Sequence, residues 1–172
     1  MNMDNRLPRE FYIRDVLEVA PDLLGTRLVL LSEASGTKKY VITETEAYRG
    51  TDDLACHACR GRTPRTDVMF MEGGRIYVYF VYGMYWMLNI VTARDNEPQA
   101  VLIRGLEGLK GPGRLTRALG IDRSFYGEDL CASGRIWIED KVIRPEIKFS
   151  TRIGIDYAGK YWRSRPWRYY TG

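Results

Sequence analysis

Arg75-Ile76-Tyr77-Val78-Tyr79-Phe80-Val81-Tyr82-Gly83-Met84-Tyr85-Trp86-Met87-Leu88-Asn89-Ile90-Val91-Thr92 is the stretch on which the fold turns. Tyr, Val, Phe and Ile dominate it, and these side chains suit a pleated, half-buried surface. Gly83 divides it into two strands, residues 75–82 and 85–92, which predicts a hairpin. The turn lacks an Asn-Gly pair, so the sequence leaves its register open. Upstream, residues 27–31 and 40–48 read as a second hairpin around Ala34-Ser35-Gly36-Thr37. Downstream, residues 99–106, 135–139 and 143–149 read as further strands. An apolar stripe at Val16, Leu17, Val19, Ala20, Leu23 and Leu24 predicts a short helix, interrupted at Pro21 and closed by Gly25. Pro112 opens another, which Gly120 closes. The sum is an α+β chain: one mixed domain over residues 1–172, a mostly antiparallel sheet with short helices.

Composition narrows the class. The 172 residues are 45% hydrophobic and 28% charged, a globular balance rather than a disordered one. No apolar run approaches the roughly 18 residues of a membrane span, so no membrane partner is expected. The polar start, residues 1–10, resembles neither a signal nor a transit peptide. Three cysteines cannot all pair with one another, and their scarcity favours a reducing compartment. Residues 1–86 carry 11 basic and 12 acidic side chains, whereas residues 87–172 carry 15 and 10. Arginine outnumbers lysine 20 to 6, and guanidinium is the better fork for phosphate. The basic tail, with Arg163, Arg165 and Arg168, reads either as a solvated face or as a nucleic-acid contact.

Glu44-Thr45-Glu46-Ala47-Tyr48 is the first chemical candidate. Strand alternation puts Ile42, Glu44, Glu46 and Tyr48 on one face, with Val41, Thr43, Thr45 and Ala47 on the other. A carboxylate near a strand end can be rigid enough for general-base work. The same pattern also serves an edge strand charged against aggregation. The aromatic run from Tyr77 to Tyr85 suits base stacking, or plain cross-strand packing. Tyr82, beside Gly83, belongs at or near the hairpin tip.

Other signals are weaker. Cys56 and Cys59 flank His57, the sole histidine, but a structural zinc needs four ligands and adjacent Cys56 and His57 bite awkwardly. No redox context accompanies the pair, so two small, half-buried thiols are expected, with no metal and no cofactor. The segment 105–114 is glycine-rich but lacks the phosphate-loop order, since Gly111 follows Lys110. The helix start with Arg114 and Arg117 could still seat one backbone phosphate.

In order and spacing, several segments together resemble the 3-methyladenine (alkyladenine) DNA glycosylase family. They are Glu44–Tyr48, His57, Gly61-Arg62-Thr63-Pro64-Arg65, Met69-Phe70-Met71, Tyr77–Tyr85, Asn89-Ile90, Val101-Leu102-Ile103-Arg104 and Gly111-Pro112. Arg152-Ile153-Gly154-Ile155 and Arg165-Pro166-Trp167-Arg168-Tyr169-Tyr170 look like that family's closing segments. The cysteines at 56 and 59 depart from it, and the stop at Gly172 implies a trimmed last strand or tail.

The resemblance implies a curved antiparallel sheet with a protruding hairpin and a monofunctional base-excision repair enzyme, active without a metal. Its partner would be double-stranded DNA containing damaged purines, met as a monomer in the nucleoid or nucleus. Position by position, Glu46 resembles the general base and Arg104 the residue that helps hold the water. Tyr48, His57 and Tyr79 resemble the pocket around the flipped base, and Asn89 the residue that crowds out the 2-amino group of guanine. Tyr82 resembles the wedge that fills the gap in the duplex. Glu44 shares the face of Glu46 without its motif position, so its loss is expected to act on local packing. A non-catalytic nucleic-acid module and a cysteine-based redox or metal protein are the competing classes. The first has no need of Glu46 and Arg104, and the second needs Cys56 and Cys59.

Overall fold

Why the chain makes a sheet is clearest at its longest strand. In a computed structural model, which describes residues 5–172, β1 (Arg27–Ser32) turns tightly into β2 (Gly36–Arg49). Ser32 pairs with Gly36, so the turn closes earlier than the sequence suggests and β2 gains four residues at its start. The first half of β2 pairs with β1, while residues 42–49 pair with β5 (Gln99–Leu106). Between β2 and β5 the register slips on both sides of Glu44, a bulge that re-aims the side chains around it. Strict alternation therefore fails there. Ile42 packs into the main core together with Ala47, on the face opposite Glu46 and Tyr48.

The aromatic stretch forms the expected hairpin, β3 (Ile76–Val81) and β4 (Tyr85–Thr92). Its register is definite, from Ile76 opposite Ile90 to Val81 opposite Tyr85. The Met84 N–H donates to the Val81 carbonyl at 3.0 Å. Tyr82 and Gly83 lie between them at φ +55 and +61, the mirror-image turn that matches strand twist. A glycine adopts this conformation freely. For Tyr82 it is strained.

Four short strands complete the sheet. They are β6 (Leu109–Lys110), β7 (Ile136–Glu139), β8 (Ile147–Ser150) and β9 (Arg168–Thr171). The order is β3-β4-β5-β2-β1-β7, with β6 on β5 and β9 joining β2 to β8, and every pairing is antiparallel. The predicted strand at 143–149 begins at Ile147, and the last strand pairs with both β2 and β8.

The helices are short: α1 (Arg9–Tyr12), α2 (Val16–Asp22), α3 (Pro112–Leu119) and α4 (Gly159–Arg163). The Asp15 carboxylate caps α2 by accepting from the Leu17 N–H. Pro21 does not interrupt α2, because it falls in the last turn and the Leu23 N–H still reaches the Val19 carbonyl. Val16, Val19, Ala20, Leu23 and Leu24 are all buried. Thr45 ties α2 to β2 by donating to the Ala20 carbonyl at 2.8 Å. Gly120 ends α3 in the left-handed conformation, as predicted. The main core thus lies on one sheet face: Ile76, Val78, Leu88, Ile90, Val101, Ile103 and Ala47, with Leu115 of α3. No helix among the described residues is long and apolar enough to cross a membrane. Of the polar start read above, residues 1–4 lie outside the described residues.

Candidate active site

Alternation that sends Val78, Leu88 and Ile103 into the core sends their neighbours to the opposite face. There Tyr77, Tyr79 and Val81 of β3, Met87 and Asn89 of β4, Ala100, Leu102 and Arg104 of β5, and Tyr48 of β2 line one cavity of about 480 Å³. The segments around His57 and residues 153–157 wall it in. A volume of this size suits a small planar ligand. The sheet brings together Tyr48, His57, Tyr79, Asn89, Arg104 and Tyr82, residues up to 56 positions apart in sequence.

Glu46 is not part of the exposed wall. It is fully buried beside it, and its carboxylate is fixed from two sides. One oxygen accepts the Ile153 N–H at 2.7 Å, the other the Tyr48 hydroxyl at 2.8 Å. Arg104 Nε lies 3.6 Å from Glu46 and 3.4 Å from Glu44. It is buried and makes no hydrogen bond of its own. Burial raises the pKa of Glu46, opposed by Arg104, the Ile153 amide, Tyr48 and Arg152. The group is thus a stronger base than a free glutamate, and it has lone pairs left over after two hydrogen bonds.

Glu44 has a larger part than packing. Its carboxylate accepts from Arg168 at 3.0 Å, so Glu46, Arg104, Glu44 and Arg168 form a chain of alternating charge. Arg168 is therefore no solvated tail residue. Arg163 and Arg165 stay at the surface, beside Asp156 and over the Tyr161 ring. Arg117 of α3 lies over the Tyr85 ring at 4.8 Å, next to the hairpin.

The aromatic wall has its own wiring. His57 Nδ1 is 2.8 Å from the Tyr77 hydroxyl, and its ring meets Tyr79 edge-on at 4.5 Å. Burial, then Arg65 and Arg60, lower the His57 pKa to about 4, so the imidazole is neutral at pH 7. The Asn89 amide donates to the Tyr77 carbonyl at 3.2 Å, which fixes its side chain at the cavity wall. Tyr82 borders the mouth and is 86% exposed.

Two residues of the site carried no separate signal in the sequence. Arg152 and Asp53 form a wholly buried ion pair, formed 99 positions apart, and the Arg152 guanidinium stacks on Tyr48. Only the Arg152-Ile153-Gly154-Ile155 segment pointed there, through the resemblance. The thiols differ from expectation in one respect. Cys56 is fully rather than half buried, and burial pushes its pKa up to about 12, which removes it as a thiolate nucleophile. All three cysteines are free. No group of three or more His, Cys, Asp or Glu among the described residues could hold a metal ion.

Comparison with known proteins agrees with this geometry. The sequence profile of the methylpurine-DNA glycosylase (MPG) family matches residues 10–111 and 108–172. A relative from Methanocella arvoryzae is 46% identical over 184 residues, covering 95% of this chain and 91% of the relative. One from Desulfitobacterium hafniense is 44% identical, covering 96% and 94%. One from Wolbachia sp. subsp. Brugia malayi is 47% identical, covering 91% and 95%. All three are provisionally named 3-methyladenine DNA glycosylases. Fold, cavity and relatives together define a DNA glycosylase, a hydrolase acting on the N-glycosidic bond of DNA. Within that class, the chain belongs to the methylpurine-DNA glycosylase family.

Proposed function

We propose that the protein is a monofunctional enzyme of base-excision repair that turns an alkylated or deaminated purine out of duplex DNA into the cavity and hydrolyses its glycosidic bond. The observation that carries this reading is Glu46, buried at the cavity wall with its carboxylate oriented by Ile153 and Tyr48 and with the Arg104 guanidinium beside it. The Arg104 guanidinium lies at the cavity wall, 3.6 Å from Glu46, where it can hold a water that enters with the base. Arg104 would orient that water and Glu46 would take its proton as the oxygen attacks the sugar C1′. The purine leaves with the bonding electrons. The developing positive charge on the sugar is stabilised by the same carboxylate.

Binding follows from the aromatic wall. A base inside the cavity lies against Tyr48, His57 and Tyr79, and a cationic 3-methyladenine gains roughly 1–2 kcal/mol from ring faces in a desolvated site. Asn89, clamped to Tyr77, crowds the position of a guanine 2-amino group. Extrusion costs a few kcal/mol of unstacking, offset by a wedge in the vacated space. Exposed Tyr82 at the mouth supports that role. Among the described residues no lysine lines the cavity, so none is placed there for Schiff-base lyase chemistry. A monomer meeting duplex DNA in the nucleoid or nucleus fits this reading. It is tested by excision assays on duplexes that each carry one damaged purine: release of 3-methyladenine with an intact abasic strand supports it. No release of any damaged purine overturns it.

A further inference from the structure

Behind Tyr48, two side chains are stacked, Arg152 and then Trp167. The Arg152 guanidinium lies 4.9 Å from the Tyr48 ring centroid and 4.9 Å from that of Trp167. Tyr48 lines the cavity and Arg152 does not, its side chain having no exposed surface. Arg152 therefore occupies the ring face turned away from the ligand. Asp53 matches its charge through two bonds, of 2.6 and 3.0 Å. The Arg49 and Ala55 backbone N–H groups also donate to Asp53, each at 3.0 Å, so four donors hold the carboxylate. A third Arg152 bond reaches the Ala47 carbonyl at 3.0 Å.

A buried ion pair is a weak source of stability compared with apolar side chains of the same volume. Its position against a cavity ring gives it a different consequence. Both faces of an aromatic ring attract cations, and here one face already carries a guanidinium. With a base stacked about 4.5 Å beyond the ring centroid, an unmatched Arg152 charge would stand about 9 Å from a cationic purine. At an effective dielectric constant near 20, that repulsion weakens the cation's binding about 20-fold, while a neutral purine is hardly affected. Asp53 cancels the repulsion. Glu46 acts in the same sense, because the hydrogen bond it accepts from Tyr48 draws negative charge into the ring. Arg104, which lines the cavity, is shared between Glu46 and Glu44, and Arg65, over the Tyr79 ring at 5.3 Å, is common to every variant compared below.

We propose that the Asp53–Arg152 pair is a specificity determinant: it keeps the space behind Tyr48 electrically neutral and so sets the enzyme's preference between cationic and neutral damaged purines. The proposal rests on the reading above that the extruded base stacks on Tyr48. Neither residue touches the base, so both act through that ring.

The test is the ratio of single-turnover excision from a duplex carrying cationic 3-methyladenine to that from one carrying neutral hypoxanthine, neither of which has the 2-amino group that Asn89 opposes. Binding to the two duplexes serves where a rate is too low to read. Asp53→Asn leaves the guanidinium unmatched, and the ratio should fall about 20-fold. Arg152→Gln leaves the carboxylate unmatched, and the ratio should rise. The double variant Asp53→Asn with Arg152→Gln should return it to within about three-fold of wild type, whatever its absolute rate. Should Asp53→Asn not fold, the rise in Arg152→Gln and its reversal in the double variant carry the test. A purely structural pair would slow both substrates alike, and an unchanged ratio in the folded single variants overturns the proposal. Failure of wild type to process either duplex would instead count against the proposed function itself.

Discussion

Replacing Tyr82 by glycine should make the protein more stable and a worse enzyme. Tyr82 holds φ +55 at the hairpin tip, a conformation that costs an L residue roughly 1–2 kcal/mol. Its side chain is 86% exposed, so truncation forfeits almost no packing. Glycine removes the backbone strain but gains freedom in the unfolded chain, worth about 0.4–1 kcal/mol in the opposite direction. The balance is a gain near 1 kcal/mol, or about 2–4 °C in melting temperature for a chain of this size. Alanine keeps the strain and loses only the ring, so Tyr82→Ala should melt within about 0.5 kcal/mol of wild type. Excision from paired duplex should fall in both, because the wedge is lost. Stacking of roughly 1–3 kcal/mol corresponds to about 10-fold or more in rate. Thermal melting and single-turnover excision on the same three proteins separate the two effects. A loss of about 3 kcal/mol or more in Tyr82→Gly, the mark of a packed ring, would refute the strain argument. Undiminished excision in both variants would refute the wedge.

Other outcomes follow from the same geometry. Cys56→Ser with Cys59→Ser should leave excision within about three-fold of wild type, since Cys56 is a buried, protonated thiol and neither cysteine is among the cavity-lining residues, and stoichiometric zinc in the purified wild type would contradict this. Binding to undamaged duplex should weaken with salt by about 0.9 log units per log unit for each phosphate neutralised, and salt-independent affinity would contradict phosphate contact. Burial, with Arg65 and Arg60 nearby, lowers the His57 pKa to about 4 in the folded protein, against an ordinary value of 6.5. The stability its neutral form carries is complete above pH 6.5 and is lost as pH falls towards 4. Between pH 7 and 4.5, wild type should therefore lose about 2–3 kcal/mol more than His57→Gln in urea unfolding, and parallel losses would show that His57 is not the titrating group.

Legibility in the sequence tracked how local each signal was. The hairpin at Gly83 and the helix between Pro112 and Gly120 announce themselves through neighbouring residues, and both form where expected. Pro21 misled because its effect depends on where the helix ends, one residue later. The bulge at Glu44 has no glycine or proline to mark it, so alternation ran through it and put Ile42 on the wrong face. Strand β9 pairs with β2 across more than a hundred positions, and no local pattern reveals that Arg168 would reach Glu44. The same distance hid the Asp53–Arg152 pair. The residues that the resemblance assigned to the base pocket do converge on one cavity, whereas the charge network holding Glu46 needed three dimensions to be seen.

Glu46→Gln puts the central assignment to its most direct test. Glutamine keeps the shape, and its oxygen can still accept the Ile153 N–H while its amide donates to the Tyr48 hydroxyl. With a buried charge removed, the variant should melt no lower than wild type. Lesion-duplex binding should stay within a few-fold, about three-fold at most, while single-turnover excision of 3-methyladenine falls by about 10²–10⁴. In wild type the same rate should decline with acid through a pKa above the ordinary glutamate value of 4.5, since burial raises it and the ionised form is the base. A folded Glu46→Gln protein that excises within about three-fold of wild type would contradict the account.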